Sequence, residues 1–522
     1  MATDKKPKVK KEKHFKPISA FAGLFAIIAI MAGLTWVIPS GSYEMIPDPA
    51  DSSKEIRKAG TYQEVEKVTT EKDPDTGEET TVDRRQGFWD IFMAPIKGMA
   101  DKLDVIIFVL ILGGFLGITM KTGAFNAGLG GLLKRMKGKE KWLIPVLMTL
   151  FAIGGTTYGM QEETVAFYAL IIPVMLAAGY NAMVAVMIIV LGSGIGVLAS
   201  TVNPFSTGIA ARTAGVQLGS IIWPQLIILV LMLLAAIFFV MHYAAKTKKG
   251  AYLDDAENVS TFKSLDLDDL PVYNAKRKAI MAIFAVCFVV MIASLIPWED
   301  FGVMIFTDFH NWLAGVPVLG AVLGAGHNVG LGSWYFNEIS VLFLMAALLM
   351  ALIFKSEFHR SRASVTDVFI KGSADLLAVA IIIAVAAGVS VIMSAGGIED
   401  TIIHWGEEGL KGAGGGLVGV LAYLFYLPMS FIIPSTSGLA TASMPVIAPV
   451  ADLVGSSKET MVVAFANAEG IINMLAPTIA SLMAGLTLAG VSYKNWLKRI
   501  WPIMIVLIAI SLVAIFIMGS IG

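Results

Sequence analysis

The sequence predicts an all-α polytopic membrane protein: an inverted repeat with nine spans plus two re-entrant helical hairpins. Three observations carry this. Of 522 residues, 56% are hydrophobic and 15% charged, more apolar side chain than a soluble domain hides. Apolar runs of spanning length recur along the chain. Short motifs return in the same order roughly half a chain later.

Several function classes drop out early. A formal net charge of −1 gives no footing for nucleic acid as a partner. The single cysteine, Cys287, offers no intrachain disulfide framework. The six histidines show no ligand spacing, so no metal site is expected. No GxxxxGK[ST] phosphate loop occurs, which argues against an ATP-driven pump. No nucleophile–base pair points to an enzyme, and no cofactor is expected.

Residues 1–17 form a cytoplasmic basic tail with seven lysines. Residues 18–38 follow as the first span, long enough for a ~30 Å hydrocarbon core. This run is longer than a signal-peptide core and lacks a small-residue cleavage site, so it reads as a retained anchor. Residues 39–87 form a polar external loop of mixed charge with some ordered structure of its own. QGFWDIFMAPIKGMAD, residues 86–101, reads as an amphipathic interfacial helix. Further spans fall at 104–122, 182–212 and 219–245, closing repeat one at 18–245. Residues 246–278 are a cytoplasmic linker, 279–297 an inverting span and 298–336 an external segment. Repeat two, 337–522, holds spans 337–355, 376–394, 459–488 and 500–519.

Two apolar stretches differ from these. Residues 142–178 and 416–454 are each broken near the middle by small or polar residues, leaving halves of about 15–18 residues. Such halves are short for crossings and fit re-entrant hairpins. Lysine and arginine placement agrees. If both stretches return to their own side, every basic cluster lies in the cytoplasm, including KTKK (246–249) and KRK (276–278). Were each a single crossing, those two clusters would move outside, against the positive-inside rule. The expected setting is a bacterial inner membrane, N-terminus cytoplasmic and C-terminus external.

IKGMAD at 96–101 matches IKGSAD at 370–375, an offset of 274. Pro173 meets Pro449 at an offset of 276, and Pro204 meets Pro477 at 273. Each repeat has an even number of crossings, so span 279–297 turns the second over. Inverted repeats with broken helices at the midplane are the architecture of secondary transporters.

Four breaks follow: hairpin tip one (154–163), broken helix one (192–207), hairpin tip two (434–438) and broken helix two (467–478). Freed backbone groups there need partners, which a ligand or ion supplies. Candidate binding residues are Thr157, Gln161, Glu162, Glu163 and Thr164 at tip one. Asn203, Ser206 and Thr207 follow in the first broken helix, then Ser435, Thr436 and Ser437 at tip two. Asn467, Glu469 and Asn473 complete the set. Na⁺ has candidate ligands near Thr201, Asn203 and Asn467; H⁺, Na⁺ and exchange all remain open as the coupling.

The glutamates are the most informative of these. A first-turn acid at a helix N-terminus gains roughly 0.3–1 kcal/mol. A carboxylate at membrane depth costs on the order of 2.5–3.5 kcal/mol or more. Tip two turns the same corner as PSTSG with no acid, so the turn itself does not need one. Glu469 stands opposite Ser193 at an offset of 276. The acids therefore read as cation or proton groups; the alternative is a hydrogen bond to the other hairpin arm. No lysine or arginine occurs at any break, and Arg212 is expected to snorkel to the external interface.

GGTTYGMQEETVAFYALIIPVMLA, STVNPFSTGIA and FIIPSTSGLATASMPVIAPVADL make the chain similar to a known family. It resembles the YfcC-like group of the C4-dicarboxylate anaerobic carrier (DcuC-type) family, within the ion-transporter superfamily that also holds the AbgT-type fold. The resemblance implies a homodimeric elevator machine, with a fixed scaffold and a sliding hairpin-bearing transport domain. It also implies amino-acid or dicarboxylate substrates. In the dicarboxylate relatives the tips carry Ser-Asn-Thr, a pattern nearer to Ser435–Ser437 than to Gln161–Thr164. The expected function is thus secondary transport of amino acids, basic ones such as arginine or ornithine. The alternative is a C4-dicarboxylate or short-chain carboxylate carrier coupled to Na⁺ or H⁺.

Overall fold

The computed structural model describes residues 20–48, 51–72, 79–135, 138–252, 270–296, 298–360 and 364–521. The basic tail 1–17 and the middle of the linker, 253–269, lie outside the described residues.

The chain is mainly helical. The first half runs α1 (Ala20–Val37), α2 (Phe88–Asp101), α3 (Leu103–Lys121), α4 (Ala124–Arg135), α5 (Leu143–Tyr158), α6 (Thr164–Ala177), α7 (Ala182–Leu198), α8 (Thr207–Ala214) and α9 (Leu218–Thr247). Then come α10 (Ala275–Leu295), α11 (Ile305–Gly315) and α12 (Leu319–Val322). The second half holds α13 (Phe336–Ile353), α14 (Lys355–Arg360), α15 (Val365–Asp375), α16 (Leu377–Gly396), α17 (Ile398–Leu410) and α18 (Gly416–Ile432). It ends with α19 (Thr436–Leu453), α20 (Lys458–Leu475), α21 (Ala480–Ala489) and α22 (Tyr493–Ile521).

Among the described residues, seven helical segments are long and apolar enough to cross a membrane. Each coincides with a predicted span. The predicted spans 18–38 and 182–212 appear instead as the shorter apolar helices α1 and α7. α7 stops at Leu198 because the chain unwinds over 199–206 before α8 begins.

The expectation of an all-α chain needs correction in the loop after α1. Among the described residues, six short strands form three antiparallel pairs: Ser40–Ser42 (β1) with Gln63–Val65 (β4), Met45–Asp48 (β2) with Asp51–Arg57 (β3), and Val68–Lys72 (β5) with Glu79–Asp83 (β6). Runs such as VTTEK and ETTVD are rich in β-branched residues, which suits short ladders. Lys67 Nζ, just before β5, donates to Thr35 O and Ile38 O at 2.5 and 2.8 Å. It thereby satisfies carbonyls that the end of α1 leaves open.

The order of helices repeats. α2, α3, α4, α5, α6, α7, α8 and α9 are followed by α15 to α22 with starts displaced by 272 to 277 residues, from Thr164 to Thr436 and from Phe88 to Val365. Packing exchanges between halves: α2 lies on α16 and α15 on α3, while α1 lies on α16 and α13 on α3. The repeated IKG motif sits at those crossings. Gly98 of α2 faces the Ala384–Gly388 backbone, and Gly372 of α15 faces Gly113 and Gly117. Small residues let helix backbones approach where lipid supplies no hydrophobic drive between helices.

The glycines also correct two of the predicted breaks. Gly154 and Gly155 lie inside α5, and Gly192, Gly194 and Gly196 lie inside α7. Gly155 and Gly196 face each other where α5 crosses α7. They permit close packing rather than ending a helix. The turn of tip one is therefore only 159–163 and the first broken helix is interrupted only at 199–206; the second is likewise interrupted only at 476–479.

Candidate functional site

The two hairpin tips and both helix breaks meet at one cavity of about 510 Å³. Gly159 ends α5 with a left-handed φ of 78°, which a glycine adopts without strain. A Cβ there would strike the Asn203 side chain at 2.6–2.9 Å, so the tip rests directly on broken helix one. Asn203 Oδ1 in turn accepts from the Phe205 amide at 2.9 Å. Thr156, not foreseen from the sequence, joins the same two elements. Its hydroxyl donates to Ala199 O (2.9 Å) and accepts from the Thr201 amide (3.0 Å). These bonds absorb backbone groups freed where α7 unwinds.

Of the predicted residues, Gln161, Glu162, Glu163, Asn203, Ser435, Thr436 and Ser437 line the cavity. Glu163 is 5% exposed, and its carboxylate accepts from the Gln161 amide at 3.2 Å. It makes no side-chain cap on α6 although it stands at the N-cap position. Helix capping thus does not account for this acid. Ser435 does cap its helix, accepting from the Gly438 amide at 3.3 Å.

Glu469 and Asn473 stand behind tip two. Glu469 is 2% exposed. Its Oε1 accepts from Thr436 at 2.5 Å and from Asn473, while Oε2 has no hydrogen-bond partner among the described residues. One carboxylate thus ties α20 to a hydroxyl that faces the cavity. The other predicted residues do not line it. Thr157 donates back to Ile153 O at 2.6 Å, and Thr164 donates to Gln161 O at 2.5 Å. Thr207 bonds Ser200, and Ser206 is buried near them. Asn467 serves elsewhere: Nδ2 donates to Gln225 of α9 at 3.2 Å, and Oδ1 accepts from Ser511 of α22 at 2.9 Å. It is a polar tie among three helices, because it lies two turns inside α20 rather than at the break. Thr201, named with Asn203 and Asn467 for Na⁺, bonds the Thr156 carbonyl at 3.3 Å. Among the described residues no cluster of His, Cys, Asp or Glu could hold a metal ion.

Reading the breaks alone missed several lining residues. Asp101 and Lys102 enter from the α2–α3 junction, and Glu399 from the start of α17. Tyr335, Phe205 and Ser390 supply further surface. Lys102 corrects the picture of a site without basic residues. A signal for it existed: at offset 274 it faces Leu376, the same asymmetry that singled out the glutamates.

The charges do not cancel. Among the described residues the lining holds Asp101, Glu162, Glu163 and Glu399 against Lys102. Lys102 pairs with Asp101 at 3.5 Å, and Glu399 with Arg57 at 3.6 Å. Glu162 and Glu163 have no ion-pair partner among the described residues. The cavity therefore presents two adjoining carboxylates on one wall. Hydroxyls and the N-terminus of α19 stand on another, where backbone amides favour an anion.

The C4-dicarboxylate anaerobic carrier family matches residues 19–520. An uncharacterized protein of Haemophilus influenzae is 31% identical over 556 residues, 98% of each chain. The putative basic amino acid antiporter YfcC of Escherichia coli is 28% identical over 499 residues, 90% of each chain. Among solved structures, the Alcanivorax borkumensis YdaH transporter aligns with TM-score 0.40 and 14% identity, over 96% of this chain and 98% of its own. Neisseria gonorrhoeae MtrF aligns with TM-score 0.40 and 15% identity, over 97% and 95%.

Proposed function

The chain belongs to the C4-dicarboxylate anaerobic carrier family and is a multi-pass membrane transporter, not an enzyme. From that premise we propose that it carries basic amino acids, by uptake or exchange, through alternating access. The observation that carries this reading is the unpaired Glu162–Glu163 couple in the cavity wall. A basic amino acid has two cationic groups and one carboxylate. The carboxylates of tip one suit the side-chain cation. Lys102, Ser435, Ser437 and the start of α19 suit the substrate carboxylate. The relative from Escherichia coli bears the same substrate class in its name.

The helix lengths support the proposed topology. α5 and α6 have 16 and 14 residues, so at 1.5 Å per residue they reach only ~24 and ~21 Å. Neither crosses a ~30 Å core. With both hairpins returning to their own side, α10 inverts the second half, and the reciprocal packing of α2 on α16 and α15 on α3 becomes a pseudo-two-fold. The hairpins and broken helices would then slide as a unit against α1–α3, α13, α15 and α16.

Lys102 and the tip-two hydroxyls favour a second reading, a C4-dicarboxylate carrier. Purified protein in liposomes separates the two. Labelled arginine or ornithine is expected to accumulate, unlabelled succinate leaving its uptake unchanged. Succinate transport with no arginine transport would select the second reading.

Glu469 is the group proposed to carry a coupled proton. A buried ionised carboxylate with an unpartnered oxygen costs far more than the neutral acid in the same place. Thr436 links it directly to the cavity. Glu469→Gln should retain exchange of bound substrate but flatten the pH dependence of net uptake. An unchanged pH profile would remove Glu469 from the coupling.

A further inference from the structure

The segment between α1 and α2 is a strap clamped on the corner between α16 and α17. Ser40 Oγ donates to Gly396 O at 2.8 Å, and the Gly41 amide to Gly397 O at 3.0 Å. Tyr62 stacks on His404 at 4.0 Å between ring centres and is hydrogen-bonded to Thr401 at 3.0 Å. Tyr43 donates to Glu407 at 3.1 Å. Burial and the Glu407 charge push its phenol well above the usual range, so it stays a donor.

Within this clamp Arg57 has unequal partners. Its Nε donates to Asp400 Oδ1 at 2.7 Å, while Nη2 stands 3.6 Å from Glu399 Oε1. The Arg57 side chain is 19% exposed and each carboxylate 15%. Asp400 does not line the cavity; Glu399 does. The other Glu399 oxygen accepts from Ser394 at 3.3 Å. One carboxylate thus faces the transport cavity and the guanidinium of the strap together, with the strap's hold on it the looser of the two contacts.

We propose that Arg57 is a specificity-determining residue, a built-in guanidinium that competes with a cationic substrate for Glu399 at the cavity rim. This rests on the basic-substrate reading above. An incoming guanidinium or ammonium takes the Glu399 oxygen that Nη2 faces, and Asp400 keeps Arg57 Nε, so no carboxylate is left bare. A neutral or anionic solute gains nothing from that exchange and meets a rim already neutralised.

The test is binding of labelled arginine and of citrulline, its uncharged ureido analogue, to the full chain in lipid nanodiscs. Arg57→Gln is expected to tighten arginine about fivefold, the scale of one partly exposed ion pair, and to leave citrulline alone. Glu399→Gln added to Arg57→Gln should abolish that gain. Equal tightening of both ligands, or a gain that survives Glu399→Gln, overturns the proposal. Should Arg57→Gln fail to fold, Glu399→Gln alone decides it: arginine must weaken relative to citrulline, and an unchanged ratio overturns the proposal. A wild-type protein that binds succinate but not arginine fails differently. It removes the substrate class, and this proposal with it.

Discussion

Replacing Glu162 and Glu163 together by glutamine is expected to cut arginine transport by about a hundredfold or more while leaving the fold as stable as before, or more stable. Removing one partner of a desolvated charge pair, which leaves the other charge bare, costs roughly 2–5 kcal/mol, and 2.7 kcal/mol is about a hundredfold in affinity. The stability half of the expectation comes from the absence of a partner. Neither acid has an ion pair among the described residues, and Glu163 caps no helix. Two adjoining carboxylates repel, and burial penalises each. Glutamine keeps the volume, and its carbonyl oxygen can still accept from the Gln161 amide, the bond now made at 3.2 Å. If the acids were structural, the double variant would melt earlier and transport would follow stability. Uptake into liposomes and thermal melting of the same preparation separate the cases. Loss of stability with transport per folded molecule intact would sink the assignment.

Sequence reading was sound where a pattern is local or periodic. The IKG repeat, the tips and the unwound STVNPF segment are short-range signals, and they led to the elements that surround the cavity. It failed where meaning depends on what lies across a helix. Gly155 and Gly196 look like helix breakers in a one-dimensional reading but serve as contact points between α5 and α7. Asn467 looks like a break residue, yet its partners are Gln225 and Ser511, 242 and 44 residues away. Arg57 and Glu399 are 342 positions apart, and no spacing rule joins them. Lys102 is the exception, since the comparison between halves contained it and only the search at the breaks passed it over.

Substituting leucine at Gly98 or Gly372 is expected to be strongly destabilising, and the two variants should suffer alike. A Cβ on Gly98 would stand 2.5 Å from Ala384 O and 2.7 Å from Gly388 N. At Gly372 it would meet Gly113 O and stand 3.0 Å from Gly117 Cα. Every one of these neighbours is backbone, so no side chain can rotate aside and the helices themselves must separate. Overpacking costs typically 1–3 kcal/mol, occasionally more, and a backbone-on-backbone crossing belongs at the upper end. The neighbouring Lys97 and Lys371 are exposed, so leucine there serves as the control for added apolar volume. Melting in detergent should place Gly98→Leu and Gly372→Leu well below wild type and both lysine variants close to it. The equality matters as much as the size. Gly98 and Gly372 are 274 residues apart and contact opposite halves through the same motif, so a pseudo-two-fold requires matched penalties. One variant melting like wild type while the other collapses would show that the crossings are not equivalent.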